Sequence, residues 1–310
     1  MPITEFDLIN RFFKQKFPTR KDVVLGIGDD AALCTAPAGM QLVMAIDTLV
    51  EGVHFPINTK PEDIAYKALA VNLSDLAAMG ATPAWMTLAL TCSKVDESWL
   101  ARFSQGLLEL ATAAEISLIG GDTTRGSLTI TIQVTGFVKV ALLRSAAQVG
   151  DGIYVTGTLG DAGLGLAAIE KRITLAPEIQ NFAESRLNKP TARIYEGKKL
   201  TGIANAAIDV SDGLVADLNH ILTASKVGAS LNVETLPLSK ALQSINRATA
   251  LELALSAGDD YELCFTMPAH KKLSIAATRI GTIEEQLGLR CLDGDGKVFS
   301  GKISGYEHFS

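Results

Sequence analysis

The chain has few cysteines, few histidines and no excess of positive charge, and each shortage excludes a class of protein. Among 310 residues there are four Cys and four His. The cysteines Cys34, Cys92, Cys264 and Cys291 are scattered and form no C-x-x-C pair, so the sequence indicates neither a zinc site nor a disulfide framework. The net charge of −6 argues against binding to nucleic acid, which needs clustered Lys and Arg to hold the phosphate backbone.

Long apolar runs and targeting signals are also missing. No uninterrupted apolar stretch is long enough to cross a membrane. Residues 1–16 are predicted to form a short amphipathic helix that lacks the apolar core and cleavage site of a signal peptide. We therefore expect a cytoplasmic protein that binds neither nucleic acid nor a membrane. The length allows two domains of ordinary size, each with its own core.

Aspartates recur in glycine-rich segments that follow apolar strands, and this pattern is the most informative one in the chain. The first pair is Asp29-Asp30, in the sequence Val-Val-Leu-Gly-Ile-Gly-Asp-Asp-Ala-Ala. Two neighbouring carboxylates repel each other, so the pKa of one rises unless a cation neutralises them. The comparable segments are Ile46-Asp47-Thr48, Gly120-Gly121-Asp122-Thr123-Thr124, Asp209-Val210-Ser211-Asp212-Gly213 and Gly258-Asp259-Asp260-Tyr261-Glu262. Carboxylate oxygens without nearby His or Cys favour Mg²⁺ over Zn²⁺.

Asp75 adds a second kind of evidence, because it lies in a predicted helix that is apolar on nearly every side. Burying a carboxylate is costly unless it is paired or bound to a metal ion. Two explanations stay open, a metal site or a partner from elsewhere in the fold such as Arg125. The remaining carboxylates would converge if the strands before them are neighbours in their sheets: Asp30, Asp47, Asp122, Asp209 and Asp212.

Other motifs are weaker. The chain has no G-x-x-x-x-G-K-[ST] sequence, which excludes a P-loop protein. Residues 26–31 match the dinucleotide-binding pattern G-x-G-x-x-A, but two aspartates in that turn would repel a pyrophosphate. His54 stands beside Phe55, a setting typical of a structural histidine, and Arg144 either contacts phosphate or solvates the end of a strand. Asp151 and Asp161 are interpreted as ordinary turn residues.

The order of predicted elements indicates two domains that mix strands and helices. In the first half, helices are predicted at residues 61–79 and 96–114. Strands are predicted at residues 40–46, 83–91, 116–119 and 127–140. The strand at 40–46 should deliver Asp47 at its end, and the strand at 116–119 should lead into a loop at 120–122.

A polar stretch ending near residue 152 restarts the pattern, so we place the domain boundary near residue 145. The predicted domains are residues 1–144 and residues 145–310. The second half has predicted strands at residues 153–156, 206–210, 229–233, 262–267 and 287–292. Its helices are predicted at residues 163–171, 191–200 and 214–225, with a polar connector between the first two.

Taken together, these motifs resemble the thiamine-monophosphate kinase family, which belongs to the superfamily of aminoimidazole-ribonucleotide synthetase and selenophosphate synthetase. The match runs in order along nearly the whole chain. Besides the segments given above, it includes Asp47-Thr48-Leu49-Val50-Glu51-Gly52-Val53-His54-Phe55, Asn72-Leu73-Ser74-Asp75-Leu76-Ala77-Ala78-Met79-Gly80-Ala81 and Gly305-Tyr306-Glu307-His308-Phe309. The Glu-Gly-Val-His-Phe segment distinguishes this family from its relatives.

The resemblance implies a PurM-like α/β (α+β) fold with an N-terminal mixed sheet and a C-terminal α+β domain. It also implies a homodimer whose N-terminal sheets join into a barrel. The implied activity is ATP-dependent phosphorylation of thiamine monophosphate to thiamine diphosphate. The implied ligands of several Mg²⁺ ions are Asp30, Asp47, Asp75, Asp122, Asp209, Asp212 and Asp29. The implied ATP contacts are Gly121, Asp122, Arg144 and Ser211, and the implied thiamine monophosphate contacts are His54, Glu262 and Tyr306.

The implied reaction is direct, in-line transfer of the γ-phosphoryl group, and it needs no catalytic base because the acceptor phosphate is already anionic. Two alternatives stay open: another ATP-dependent enzyme of the superfamily, or a non-catalytic protein that binds nucleotide or metal. The chain departs from the family pattern at two places. Ala45-Ile46 stands where Ser or Thr usually precedes the aspartate, and Asp259 replaces a glutamate. The departures leave open which acid among Asp259, Asp260 and Glu262 touches substrate.

Overall fold

The computed structural model of the chain describes residues 4–14 and 16–301, which divide into two compact units. The first unit comprises Met1–Leu76 and Ala81–Val140, and the second comprises Ala77–Gly80 and Ala141–Ser310. This division falls a few residues before the expected boundary at 144/145, whose exact place stays a prediction. Within the described ranges, no helix is long and apolar enough to cross a membrane.

The first unit is built on a four-stranded mixed sheet. Its elements are α1 (Glu5–Ile9), a π-helical turn (Asn10–Lys14), β1 (Val23–Leu25), β2 (Leu33–Cys34), β3 (Gln41–Val50), α2 (Pro61–Ala78), β4 (Thr82–Cys92), α3 (Glu97–Ala113), β5 (Ser117–Arg125) and β6 (Thr129–Val138). The sheet order is β3-β6-β4-β5, and only β4 and β5 run parallel. A separate antiparallel pair joins β1 to β2.

The two long helices of this unit begin where the sequence predicts. Proline at the first position and acidic residues in the first turn favour the start of α2 at Pro61. Asp96 precedes α3 and accepts hydrogen bonds from the backbone N–H groups of Ser98 and Trp99. These bonds satisfy donors that a helix N-terminus otherwise leaves unpaired.

Two expectations about strand ends were wrong in the first unit. Asp47 does not follow its strand: β3 continues to Val50, and Asp47 pairs with Ile132 within the sheet. Residues 120–122 do not form a loop either, because β5 continues through them to Arg125. β5 can continue because Gly121, with φ of +155°, lets the backbone of β4 approach closely: a Cβ there would lie 1.9 Å from the carbonyl oxygen of Leu88.

The second unit is built on a six-stranded sheet. Its elements are β7 (Gly152–Val155), α4 (Asp161–Ile169), α5 (Pro177–Asn188), α6 (Ile194–Leu200), β8 (Ala206–Asp209), α7 (Leu214–Ser225), β9 (Gly228–Asn232), α8 (Lys240–Gln243), α9 (Arg247–Ser256), β10 (Leu263–Met267), β11 (Thr278–Glu284) and β12 (Gly288–Leu292). The sheet order is β12-β9-β11-β7-β10-β8, and only β12 and β9 run parallel. Its core contains Val155, Ile208, Leu218, Leu231 and Ile280.

The predicted polar connector after the first helix of this unit was wrong, since α5 occupies most of it. Only Ala183 and Leu187 of α5 are buried, so its apolar stripe is too narrow to stand out in the sequence. The prediction also missed β11 and α9. In β11, the buried Ile280 and Ile283 stand three residues apart, so they lack the two-residue alternation that would mark a strand.

Candidate functional site

A pocket in the first unit brings together two of the aspartate segments. Its volume is about 690 Å³, and one wall consists of the loop at 27–32 with Asp29 and Asp30. The opposite wall is formed by residues 118–123 of β5, including Asp122. The neighbouring strand and the N-terminal helical segment supply the rest, among them Phe6, Ile9, Phe13 and Leu88. The pocket therefore offers both carboxylates and apolar surface to a ligand.

The carboxylates of this pocket are solvated. Asp29, Asp30 and Asp122 are exposed. Asp29 accepts a hydrogen bond from the backbone N–H of Asp30 at 2.9 Å, and Asp122 accepts one from Thr123 at the same distance. Each of these bonds uses one carboxylate oxygen and fixes the side chain against its own backbone. The other oxygens are free to face a cation or a ligand that carries one.

A second acidic pair in the first unit joins β3 to α2. The carboxyl groups of Asp47 and Asp75 form a hydrogen bond, and His54 lies near Asp47. Burial raises the pKa of Asp47, while the bond to Asp75 and the field of His54 oppose the rise. Two carboxylates at hydrogen-bond distance must share a proton or a cation, because two bare anions would repel each other. Asp47 is thus one partner of Asp75 from elsewhere in the fold.

His54 is held by the turn in which it lies. Its Nδ1 accepts a hydrogen bond from the backbone N–H of Val50 at 3.0 Å, and Lys67 donates to its carbonyl oxygen. The ring is half-buried. These contacts fix the imidazole with Nε2 as its second polar atom.

In the second unit, Asp209 ends β8, and the turn after it carries Ser211 and Asp212. A residue that the sequence analysis missed, Asp217 of α7, supports this turn by accepting hydrogen bonds from the N–H groups of Ser211 and Asp212 at 2.9 and 3.0 Å. Burial raises the pKa of Asp217 to about 7, and the nearby carboxylates of Asp209 and Asp212 add to the rise. An acidic residue in the first turn of a predicted helix, just after Ser-Asp-Gly, was the available clue.

The neighbouring segment at 258–262 is strained and closely packed. Asp259 and Tyr261 have φ of 69° and 51°, values unusual for residues other than glycine. Their backbone N–H groups donate to Ser211 and Val210, which ties the segment to the turn after β8. Strain of this size persists only where the surrounding contacts hold it, and it concentrates at functional sites.

Asp260, between these two residues, holds the start of α4. Its carboxylate is buried and accepts hydrogen bonds from the N–H groups of Gly160 at 2.6 Å and Ala162 at 3.4 Å. Burial raises its pKa well above the usual value. Asp161, interpreted from the sequence as a turn residue, is instead the first residue of α4 and is also fully buried, with its carboxylate bonded to Ser239 and Thr158.

Glu262 is fully buried and ion-paired. Its oxygens accept hydrogen bonds from Thr156 at 2.6 Å, from Arg193 at 2.6 and 2.7 Å, and from Arg186 at 2.8 Å. Burial by itself would lower the pKa of Arg193, but the bonds to Glu262 outweigh it and the pKa is raised. The two arginines lie 76 and 69 residues before Glu262 in the chain, so no local pattern indicated them.

The predicted site residues thus form groups within each unit. Asp29, Asp30, Gly121 and Asp122 share the pocket, and Asp47, Asp75 and His54 form a second group. In the second unit, Asp209 at the end of β8 adjoins the turn with Ser211 and Asp212, and Arg144 is exposed in a 3₁₀ turn of its own. Tyr306 lies outside the described residues. In the ranges 4–14 and 16–301, no three His, Cys, Asp or Glu residues are grouped so that they could hold a metal ion.

Comparison with known proteins defines the class first. Residues 28–138 match the family model for the N-terminal domain of AIR synthase related proteins, and residues 148–291 match the model for the C-terminal domain. The expected PurM-like α/β fold with two domains and mixed sheets is therefore confirmed.

Among individual proteins, the chain is similar to members of one family within this class. The chain is 46% identical to thiamine-monophosphate kinase of Escherichia coli (strain K12), over 100% of this chain and 99% of that protein. A crystal structure of thiamine-monophosphate kinase from Stenotrophomonas maltophilia K279a superposes with a TM-score of 0.87 at 44% identity, covering 96% of this chain and 99% of the other. AaThiL complexed with AMPPCP and TMP gives a TM-score of 0.80 at 33% identity, covering 99% and 97%. The chain belongs to the thiamine-monophosphate kinase family.

Proposed function

We propose that the chain transfers the γ-phosphoryl group of ATP to the phosphate of thiamine monophosphate and releases thiamine diphosphate and ADP. The observation that carries this proposal is the pocket of the first unit, where Asp29, Asp30 and Asp122 surround glycine-rich backbone beside an apolar wall. Such a pocket suits a ligand with a ring at one end and a metal-bound phosphate chain at the other. The similarity to a family member complexed with AMPPCP and TMP supports the same substrates.

The donor groups fit Mg²⁺ in kind. They are carboxylate oxygens in a solvated pocket, and Asp47 and Asp75 form a close acidic pair that a cation would neutralise. We assign Mg²⁺ binding to Asp29, Asp30, Asp47, Asp75 and Asp122 in the first unit and to Asp209 and Asp212 in the second. Bound Mg²⁺ would neutralise phosphate charge and help to align the reacting groups. The residues before Asp47, Ala45 and Ile46, offer no side-chain oxygen, so the backbone is the remaining donor there.

The remaining roles follow from what each residue presents. Gly121 brings bare backbone to the pocket wall, and we assign it, with Asp122, Ser211 and Arg144, to ATP. His54 is held rigidly by its turn, and we assign its Nε2 to the acceptor substrate; Tyr306 is proposed for the same substrate. No residue is assigned as a general base, because the attacking phosphate oxygen is already ionised, and positioning and charge neutralisation suffice for in-line transfer.

We also propose that two copies of the chain associate through β3. This strand lies at an edge of its sheet, and Leu42, Met44 and Ile46 on one face are 45%, 65% and 64% exposed. An apolar row on an open edge strand is a common site of association. A second copy is the partner that the family resemblance suggests.

The decisive experiment is chromatography of the products after incubation with ATP, Mg²⁺ and thiamine monophosphate. Thiamine diphosphate and ADP in equal amounts would support the proposal, and turnover should need free Mg²⁺ beyond the amount complexed with ATP. ADP with free inorganic phosphate, or turnover only with another acceptor, would favour another enzyme of the superfamily. Tight ATP binding with no ADP release would indicate a non-catalytic binding protein.

A further inference from the structure

Two arginines meet one buried carboxylate in the second unit, and they are used in different ways. Arg193 gives Glu262 a bidentate pair through Nε and Nη2, and its Nη1 lies 3.4 Å from Glu196. Its hydrogen-bonding edge is therefore occupied. Arg186 holds Glu262 through a single N–H on Nη2, at 2.8 Å. A guanidinium has five N–H donors, so most of those of Arg186 are left without an acceptor within the described chain.

Those remaining donors are not sealed inside the core. Arg186 has only 15% of its side chain exposed. Yet none of its nitrogens is among the buried, unpartnered polar atoms of the described residues. The nitrogens of Arg186 that do not bond Glu262 therefore keep some contact with solvent. Because a guanidinium binds phosphate through two parallel N–H groups, this edge suits a phosphate oxygen pair.

Glu262, whose carboxylate holds Arg186, directly precedes β10 and lies beside the strand ends that bear predicted site residues. Pairing of Leu263 with Asp209, and of Cys264 with Val155, puts the start of β10 at the same sheet edge as the ends of β8 and β7. The N–H of Val210 donates to the carbonyl oxygen of Glu262 at 2.8 Å. The arginine pair is thus anchored one residue from the Ser211-Asp212 turn.

The backbone beside the cluster packs closely against it. Gly157 has φ of +53°, and a Cβ there would lie 2.1 Å from Oε1 of Glu262 and 2.5 Å from Nη2 of Arg193. Any other residue at this position would displace the ion pair. Glu262 itself is fully buried, so it has no surface with which to touch a ligand.

We propose that Arg186 binds a phosphate group of one of the two substrates, and that Glu262 is a positioning residue that orients its guanidinium. The direct substrate contact expected of Glu262 thus passes to Arg186. The identity of the phosphate carrier rests on the proposed function, but binding of an anion by Arg186 does not. Either of two substrates can supply this phosphate group: the acceptor, thiamine monophosphate, or the nucleotide.

The test is calorimetric binding of thiamine monophosphate, thiamine and ADP to the wild-type chain, Arg186→Gln and Arg186→Lys. We expect Arg186→Gln to weaken one phosphorylated ligand about ten-fold or more, with a smaller loss in Arg186→Lys, which keeps the charge. A loss for thiamine monophosphate alone identifies the acceptor, and a loss for ADP alone identifies the nucleotide. Thiamine lacks phosphate, so its affinity should not change.

Three further variants separate positioning from folding. Arg172→Gln is the matched control, because Arg172 is exposed and pairs with the exposed Glu170. Glu262→Gln should weaken the same ligand as Arg186→Gln does, and Arg193→Lys should lower the melting temperature more than either Arg186 variant. Unchanged affinity for both phosphorylated ligands in Arg186→Gln would overturn the inference. Wild-type chain that binds an anion through Arg186 but makes no thiamine diphosphate would instead overturn only the proposed function.

Discussion

The carboxylates of the pocket in the first unit and those of segment 258–262 in the second occur in similar glycine-rich motifs but have opposite environments. In the first unit, Asp29, Asp30 and Asp122 are exposed, and Asp29 and Asp122 each have one oxygen bonded to an adjacent backbone N–H. In the second unit, Asp260 and Glu262 are buried, and their acceptors are used by backbone, hydroxyl or guanidinium donors. The carboxylates of the first group have oxygens that a ligand can contact, whereas the acceptor oxygens of the second group are used by donors within the protein.

An aspartate in a Gly-Asp motif can therefore either bind a ligand or support the fold. Where solvent reaches the carboxylate, water hydrates it, and a metal ion can replace that water. Where burial removes water, the carboxylate must be satisfied by the protein, and it then fixes backbone such as the start of α4. Arg186 differs from these carboxylates, because it is nearly buried and, among residues 4–14 and 16–301, bonds through only one of its N–H groups.

Loss of an exposed carboxylate should have the largest effect on activity. We expect Asp30→Asn and Asp122→Asn to lower turnover on the order of 100-fold or more, because each removes a proposed Mg²⁺ ligand. The free energy of unfolding should change by less than about 0.5 kcal/mol, as for other exposed positions. Steady-state kinetics and urea unfolding check both values, with the exposed Asp295→Asn as control. Full activity in both variants would contradict the role of these carboxylates.

Loss of a buried carboxylate should instead affect stability. Asp260→Ala removes the acceptor of two N–H groups at the start of α4 and should cost about 1–3 kcal/mol. Asp260→Asn should cost less, because the raised pKa of Asp260 favours the neutral acid that Asn resembles. Urea unfolding followed by circular dichroism measures both. Equal losses in the two variants would show that the negative charge itself is required.

The exposed apolar residues Leu42, Met44 and Ile46 of β3 form a second kind of open surface, for which the proposed partner is another copy of the chain. We expect Ile46→Lys to weaken self-association about ten-fold or more, because burying an unpaired charge between two apolar strands is strongly unfavourable. Sedimentation velocity over a range of protein concentrations measures the change. Leu287→Lys is the control, since Leu287 is equally exposed but lies in the second unit. An unchanged association constant would leave β3 without this role.

The smallest expected effect is a pH dependence from Asp161. Burial raises its pKa above the usual 3.8, so the folded state holds this proton at pH values where the unfolded state has lost it. The contribution of Asp161 to stability should therefore fall as pH rises above 3.8, with a slope of at most about 1.4 kcal/mol per pH unit. Unfolding of wild type and Asp161→Asn between pH 4 and 7 isolates this contribution. A stability difference that is constant with pH would contradict it.

Several parts of the fold were predictable because local chemistry determines them. Pro61 with the acidic residues after it marked the start of α2, and Asp96 marked α3. The alternation of Ile130, Ile132 and Val134 marked β6. By contrast, α5 was missed because it buries only two side chains, and β5 was cut short because nothing local shows that β4 would pack against Gly121.

The candidate site was predictable in its residue types and only partly in its geometry. The aspartate motifs indicated Mg²⁺ and phosphate chemistry, and the structure brings Asp30 and Asp122 to one pocket. It also pairs Asp47 with Asp75, which the chain separates by a strand end, a loop and most of a helix. Arg186 and Arg193 could not be predicted, because their relation to Glu262 depends on how α5 and α6 fold back onto the sheet.

The sequence by itself determined the chemistry available to this protein: the acidic motifs, the absence of cysteine or histidine clusters, the mixed α/β class and the family to which the chain belongs. These follow from residue identity and short spacing, which local interactions carry. Only the tertiary structure decided which carboxylates stay exposed for ligands and which are consumed by the fold. Burial and the partners available at hydrogen-bond distance are set by contacts between residues far apart in the chain, and those contacts exist only once the sheets have formed.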